Sequence, residues 1–400
     1  MEGPINVAAA EALIEAHMPR FASERIPLTQ AQGRVLRQDI RADRDQPPFD
    51  RVMMDGIAVR HETSRTRYRV AGIQLAGQAA MTLAAADDCL EVMTGAMLPH
   101  GADTVVPVES LQKEDGYATV SVGAVNAAGQ FVHRRGSDCR EGELLLSPGR
   151  MLRAPEIAVL ATNGIADVEV ARLPAIAVVA TGDELVDIDA QPEPWQIRRS
   201  NDHGIAAALR DAHFSDVSLH HVADERERIL SLLGELLQRN DVIVLCGGVS
   251  MGQRDYIPSA LEALGVQRVF HKIAQRPGKP MWFGMAPGNK PVFALPGNPV
   301  SALVCTLRYV LPALRAASGM PASRPRAVTL ATPLTTHASL TCFIPVALED
   351  GIDGRMMARP IPSATSGDFA SLVRTDGIIE LPPNASPFET GFTAPFRAWS

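Results

Sequence analysis

Three apolar runs each stop at glycine beside polar side chains: AIAVVATGDELV (175–186), VIVLCGGVSMGQRDYI (242–257) and VFALPGNPVSALV (292–304). If the runs are parallel strands, their carboxyl ends are where a ligand lies, and Gly182, Gly247, Gly248 and Gly297 let it approach the backbone. Asp183 and Glu184 follow one end and place two carboxylates at that edge. Ser250 offers a hydroxyl at the second, where Asp255 suits a divalent cation or, equally, a helix start, at about 0.3–1 kcal/mol. At the third, Pro296 and Gly297 precede Asn298 and Pro299, which fit an N-cap and first helical position, and Ser301 sits where free N–H groups accept an anion. FHKIAQRPGKP sets Lys272, Arg276 and Lys279 around a Pro-Gly turn, three like charges that a phosphate or other oxyanion would offset, as would plain solvent. Asp224, ending VSLHHVAD, reads as a metal ligand or as the cap of the next helix. Asp55-Gly56 and Thr94-Gly95 form turns, and His220 and His221 lack a metal-ligand partner spacing.

The elements that must position these groups alternate strand and helix between residues 172 and 320, which predicts a doubly wound parallel α/β sheet. Short glycine-punctuated strands fill the stretch before it, and PPFD near 47–50 marks a junction. The last 80 residues again read as short strands and turns. The expected partition is residues 1–48 with 136–171, an inserted β-rich module at 49–135, a central α/β domain at 172–320, and a small β domain at 321–400.

A chain of 400 residues exceeds one core, which rarely grows past about 250–300 residues. A net charge of −7 gives no general attraction to nucleic acid or an anionic membrane. Two basic clusters, Arg198-Arg199 and His133-Arg134-Arg135, remain as sites for a small anion or as solvated faces. Five cysteines without a CxxC pair, no signal-like start and no long apolar run predict a cytoplasmic protein with reduced thiols.

In order, PPFDRVMMDGIAV, EVMTGAMLPHGADTVVPVE, HRRGSD, VVATGDEL, SND, GGVSMGQRDY, RPGKP and LPGNPVSAL resemble the molybdopterin molybdenumtransferase family, the MoeA and gephyrin E-domain type. The resemblance implies a homodimer with an elongated N-terminal part carrying an inserted β-rich module, a central molybdopterin-binding α/β domain and a C-terminal β barrel. It implies a magnesium-assisted reaction in which adenylylated molybdopterin and molybdate yield AMP and a molybdenum-loaded dithiolene. Partners would include the preceding adenylyltransferase and acceptor molybdoenzymes.

By resemblance, Asp55, Thr94, Asp138, Glu184, Asp224, Asp255, Lys272 and Arg276 are catalytic positions. Gly182, Asn201, Gly247, Gly248, Ser250, Lys279, Pro296, Gly297, Asn298, Pro299, Ser301 and Ser371 would bind substrate, with the 363–371 loop near molybdate. Asp224, Ser250 and Asp255 would hold Mg2+. The chain departs from the family pattern at Arg51, Val52 and Met53, at Ile57, at His133 where arginine is common, at Arg199 where an acid is usual, at Arg276 for lysine, and at Pro345 for arginine. These departures leave a tungstate-inserting enzyme and a non-catalytic molybdopterin carrier as alternatives.

Overall fold

The computed structural model describes residues 3–124, 127–248, 256–321, 325–351, 354–361 and 367–399. Its centre is a six-stranded sheet. In chain order the elements are β1 (Ile176–Thr181), α1 (Asn201–Asp211), β2 (Val217–Val222), α2 (Arg226–Arg239), β3 (Val242–Cys246), α3 (Ile257–Ala263), β4 (Gln267–His271), β5 (Trp282–Ala286), β6 (Lys290–Leu295) and α4 (Pro299–Cys305). The strand order is β2-β1-β3-β6-β5-β4. Every residue of β1 and β3 is buried, because helices cover both faces and leave no side of the strand for water.

Alternate residues serve opposite layers. Ile176, Val178 and Ala180 of β1 pack with Ile205 and Leu209 of α1 and Val300 and Ala302 of α4. Ala177 and Val179 face Ile229 and Leu233 of α2 and Ile257 and Leu261 of α3. The helices after β1 and β3 therefore leave to opposite faces. That reversal opens a crevice at the carboxyl ends of these neighbouring strands.

One strand differs from the expected all-parallel sheet. β5 pairs antiparallel with both β4 and β6, so β4 again points the same way as β1, β3 and β6. Gly284 in β5 allows this pairing, since a Cβ there would lie 2.6 Å from the Gln267 carbonyl oxygen. Lys272, at the end of β4, thus reaches the same edge of the sheet as the three glycine-bearing ends.

α4 continues through a π-helical segment, Thr306–Val310, into the helix Leu311–Ala317. Pro312 has no N–H to give the preceding turn, and the backbone widens there. The whole stretch Pro299–Ala317 is apolar and long enough to cross a membrane by length and composition, yet 72% of it is buried inside the protein. It is a core helix.

The flanking parts are built from distant segments. Ser23–Pro27 pairs antiparallel with Asp167–Ala171, and Ile40–Arg41 with Leu144–Leu146, so the chain returns after residue 135 to the strands it left. Between them lies a six-stranded sheet ordered Thr104–Pro107, Gly56–Val59, Asp88–Val92, Arg67–Gln74, Tyr117–Val120, Leu111–Glu114. The helix Val7–His17, capped by the Asn6 side chain, packs Val7, Ala10 and Ile14 into the central core. After the central sheet, Arg326–Leu330, Thr341–Asp350, Met356–Pro360, Gly377–Leu381 and Thr393–Ala398 close into a five-stranded barrel, the small β domain expected. Gln275–Arg276 adds a short parallel strand against Thr341–Cys342.

Candidate active site

The crevice is lined by backbone that at Gly247 and Gly248 leaves no room for a side chain. Gly247 and Gly248 have φ of +105° and +64°, and a Cβ on Gly247 would stand 2.7 Å from Thr181 Oγ1. A Cβ on Gly297 would touch the Gly247 Cα at 3.5 Å, so the ends of β3 and β6 nearly meet. Asn201, opening α1, donates from Nδ2 to the Gly297 carbonyl at 2.6 Å and ties the segment after β1 to the end of β6. Asn298 and Pro299 occupy the N-cap and first helical position of α4, though Asn298 does not use its side chain to cap. Ser301 is buried in the next turn. Pro296 is buried at the end of β6.

Several buried polar atoms around the start of α1 make no hydrogen bond. Thr181 Oγ1, Asn201 Oδ1, both carboxylate oxygens of the fully buried Asp202, and His203 Nε2 are buried and make no hydrogen bond. Buried polar groups of this kind are normally satisfied, and a cluster of exceptions points to an absent ligand or water. Arg199 lies 2.9 Å from Asp187 and 3.5 Å from Asp202, at ion-pair distance from both, though the Nε that faces Asp187 makes no hydrogen bond. Its charge is thereby offset within the chain. Burial and Arg199 hold the His220 imidazole below its ordinary value.

Glu184 is exposed and folds back over Gly182, with its carboxylate 2.6 Å from where a Gly182 Cβ would be. Asp224 is half-buried at the end of β2, and its N–H donates to Asp183 at 2.9 Å. The helix cap falls on Glu225 instead. Ser250, Asp255 and Ser363 lie outside the described residues. Among the described residues no group of three or more His, Cys, Asp or Glu side chains is placed to hold a metal ion.

The cationic turn is held from three sides. Lys272 has φ of +76°, a left-handed conformation that costs a non-glycine residue about 1 kcal/mol or more. Backbone bonds from Ile5 N–H to the Lys272 carbonyl (3.1 Å) and from Lys272 N–H to Met281 (2.9 Å) keep it there. Beneath the turn, Gln275 donates from Nε2 to the Pro277 carbonyl at 3.1 Å and accepts a hydrogen bond from the buried Tyr309 hydroxyl. Gly278 packs on Cys305, whose thiol burial pushes up to about 12. Arg276 and Lys279 are exposed, and among the described residues neither they nor Lys272 forms an ion pair with a carboxylate. Ser371 is only 8% exposed and its hydroxyl donates to the Asp368 carbonyl, so it is turned into its own helical turn.

A second group forms in the N-terminal half, around the strand Arg51–Val52. Asp55 Oδ1 accepts from both the Thr94 N–H and hydroxyl, each at 2.7 Å, and these two bonds hold its carboxyl below the usual range. Gly56 is required beside it, since a Cβ would fall 1.9 Å from the Val106 carbonyl oxygen. Across the strand, His133 Nε2 lies 2.7 Å from Asp138 Oδ1 and its Nδ1 lies 3.0 Å from Arg51. Arg134 pairs with Asp50 at 2.6 Å and Arg135 with Asp45 at 2.7 Å. The basic cluster at 133–135 is thus spent on acids of this chain, not offered to an anion. Pro345 is buried in the barrel strand Thr341–Asp350.

Sequence reasoning passed over Thr181, Asp202, Gln275 and Tyr309. Thr181 adjoins a motif glycine and was within reach; Tyr309 reads as one more apolar helix residue, and only the packing gives its hydroxyl a task.

A doubly wound α/β domain with a glycine-lined crevice at its switch point, a cationic turn at the same edge of the sheet that has no carboxylate partner among the described residues, and a barrel docked on that turn defines a multidomain protein with a site suited to a small anionic ligand. Three family descriptions cover the chain in order: "MoeA N-terminal region (domain I and II)" at residues 5–164, "Probable molybdopterin binding domain" at 177–316 and "MoeA C-terminal region (domain IV)" at 327–398. A molybdopterin molybdenumtransferase of Synechocystis is 38% identical over 99% of this chain and 100% of its own. One of Bacillus subtilis is 30% identical over 98% of this chain and 93% of its own. The crystal structure of a molybdopterin biosynthesis MoeA protein from Pyrococcus horikoshii superposes with a TM-score of 0.82 at 28% identity, covering 100% of both chains. The chain belongs to the MoeA family, the molybdopterin molybdenumtransferases of molybdenum cofactor biosynthesis.

Proposed function

We propose that the protein takes adenylylated molybdopterin and molybdate, cleaves the phosphoanhydride with release of AMP, and leaves molybdenum on the pterin dithiolene. The observation that carries this reading is the turn of Lys272, Arg276 and Lys279, three cations without carboxylate partners among the described residues, at the edge of the sheet where Gly182, Gly247, Gly248 and Gly297 open the backbone. An anionic substrate supplies the missing charge. The pterin lies against the glycines, with Asn201 and the start of α4 at Asn298, Pro299 and Ser301 bordering it. Molybdate meets the cations.

The donors proposed for magnesium are Asp224, Ser250 and Asp255, an oxygen-only set that suits a small hard cation. Bound there, Mg2+ would polarise the bridging phosphates. Glu184 contributes a carboxylate at the mouth of the crevice. Asp55, Thr94 and Asp138 act from the N-terminal half, and in a homodimer they complete the pocket of the other protomer. A cytoplasmic location agrees with this substrate chemistry, and the division at residues 48, 135, 171 and 320 assigns each part a role.

The test is anaerobic incubation of the purified protein with adenylylated molybdopterin, Mg2+ and either molybdate or tungstate, following AMP and the reactivation of a cofactor-free molybdoenzyme. AMP release with reactivation by molybdate is expected, and Asp255→Ala should abolish both while leaving the fold intact. Pterin binding without AMP would make the protein a carrier, and reactivation by tungstate alone would change the metal.

A further inference from the structure

Arg51 and His133 stand opposite each other in a two-residue antiparallel ladder, Arg51 against His133 and Val52 against Val132. Arg51 Nη2 lies 3.0 Å from His133 Nδ1. A guanidinium only donates, so Nδ1 must be the acceptor and the ring proton resides on Nε2. Nε2 in turn points at Asp138 Oδ1, 2.7 Å away. The His133 side chain is 26% exposed and that of Asp138 55%, so the holder is largely covered while the carboxylate stays open. Asp138 N–H donates to the Gln46 carbonyl at 2.9 Å, fixing the backbone as well. The next two cations cannot compete for this carboxylate, because Arg134 is bound to Asp50 and Arg135 to Asp45.

We propose that His133 is a positioning residue, held by Arg51 in the Nε2–H tautomer so that its N–H fixes the Asp138 carboxylate for the reaction. The inference rests on the assignment of Asp138 to that reaction made above. It also explains two departures from the family pattern as one exchange. An arginine at 133 would face Arg51 directly, and like charges opposite one another across strands repel. With Arg51 present, a neutral ring that accepts on one side and donates on the other does what an arginine at 133 would do alone.

Two measurements on the full-length protein test it. In histidine-selective 15N NMR, with His133 assigned from a His133→Gln variant, an unprotonated Nδ1 and protonated Nε2 are expected, and Arg51→Met, which leaves only Asp138 to favour that tautomer, should weaken the preference. A proton on Nδ1, or no change in Arg51→Met, overturns the proposal. In the AMP-release assay, His133→Ala should lower kcat about 10-fold with KM for the pterin unchanged, and His133→Arg should do the same. The pair Arg51→Asn with His133→Arg should recover to within about 3-fold of the parent, a coupling that independent sites do not give. Full kcat in His133→Ala with an inactive Asp138→Asn sinks the positioning role alone. Full activity in Asp138→Asn itself would remove Asp138 from the reaction, and the positioning role with it.

Discussion

Asp55 and Thr94 show how a functional pair is made from two residues that are unremarkable apart. They are 39 positions apart, and one carboxylate oxygen receives both donors of a single threonine. Thr94→Val removes the hydroxyl bond and leaves the N–H. The carboxyl should then move back up towards its ordinary value, and AMP release should fall by about 10-fold, while Thr94→Ser retains most of it. Single-turnover AMP release on the three proteins decides this, and an unimpaired Thr94→Val would reduce the pair to a local turn contact. From residue types alone both were polar positions before glycine, and it was the resemblance to a family pattern that marked them as functional. Their contact depends on the pairing of Gly56–Val59 with Asp88–Val92, which no local pattern specifies. The charges at 133–135 and 199 were legible as clusters, whereas their partners Asp45, Asp50, Asp187 and Asp202 were not, because ion pairing is a property of the folded surface.

Among elements, the turn between β4 and β5 carries the cations and depends on a helix far along the chain. Tyr309, within the π-helical segment Thr306–Val310, donates its hydroxyl to Gln275. Replacing Tyr309 by Phe leaves the buried Gln275 oxygen without its donor, at a cost of about 1–3 kcal/mol. The turn it supports should loosen, raising KM for molybdate more than KM for the pterin. Equal changes in both, or none, would mean that the turn holds without it. Strands β1, β3 and β6 were legible because an unbroken apolar run ending in glycine has few other readings. The strand β5 was not, since Gly284 interrupts its pattern and a close hairpin joins it to β6.

At the scale of the whole molecule, Arg308 joins three parts. Its side chain, 5% exposed, binds Glu11 of the N-terminal helix at 2.8 Å and Glu380 of the barrel at 3.0 Å. Glu11 is half exposed and Glu380 partly so, and removing the buried guanidinium that joins them costs about 1–3 kcal/mol, so Arg308→Ala should shift urea unfolding clearly and split it into separate steps. A single transition at the parent midpoint would show that the parts are held otherwise. The multidomain division could be read from changes in pattern along the chain, but the packing of Val7–His17 into the central core could not, for its apolar face fits either neighbour. The strand Gln275–Arg276, annexed to the edge of the barrel, carries a further consequence. The backbone that carries Arg276 belongs to one module and its hydrogen-bond partner to another, so the seam between modules runs through the proposed oxyanion site. Recombination can exchange barrels among relatives only where the incoming Thr341–Cys342 edge preserves that seam, and a lineage that lost its barrel would lose the aim of its cations before it lost its pterin crevice.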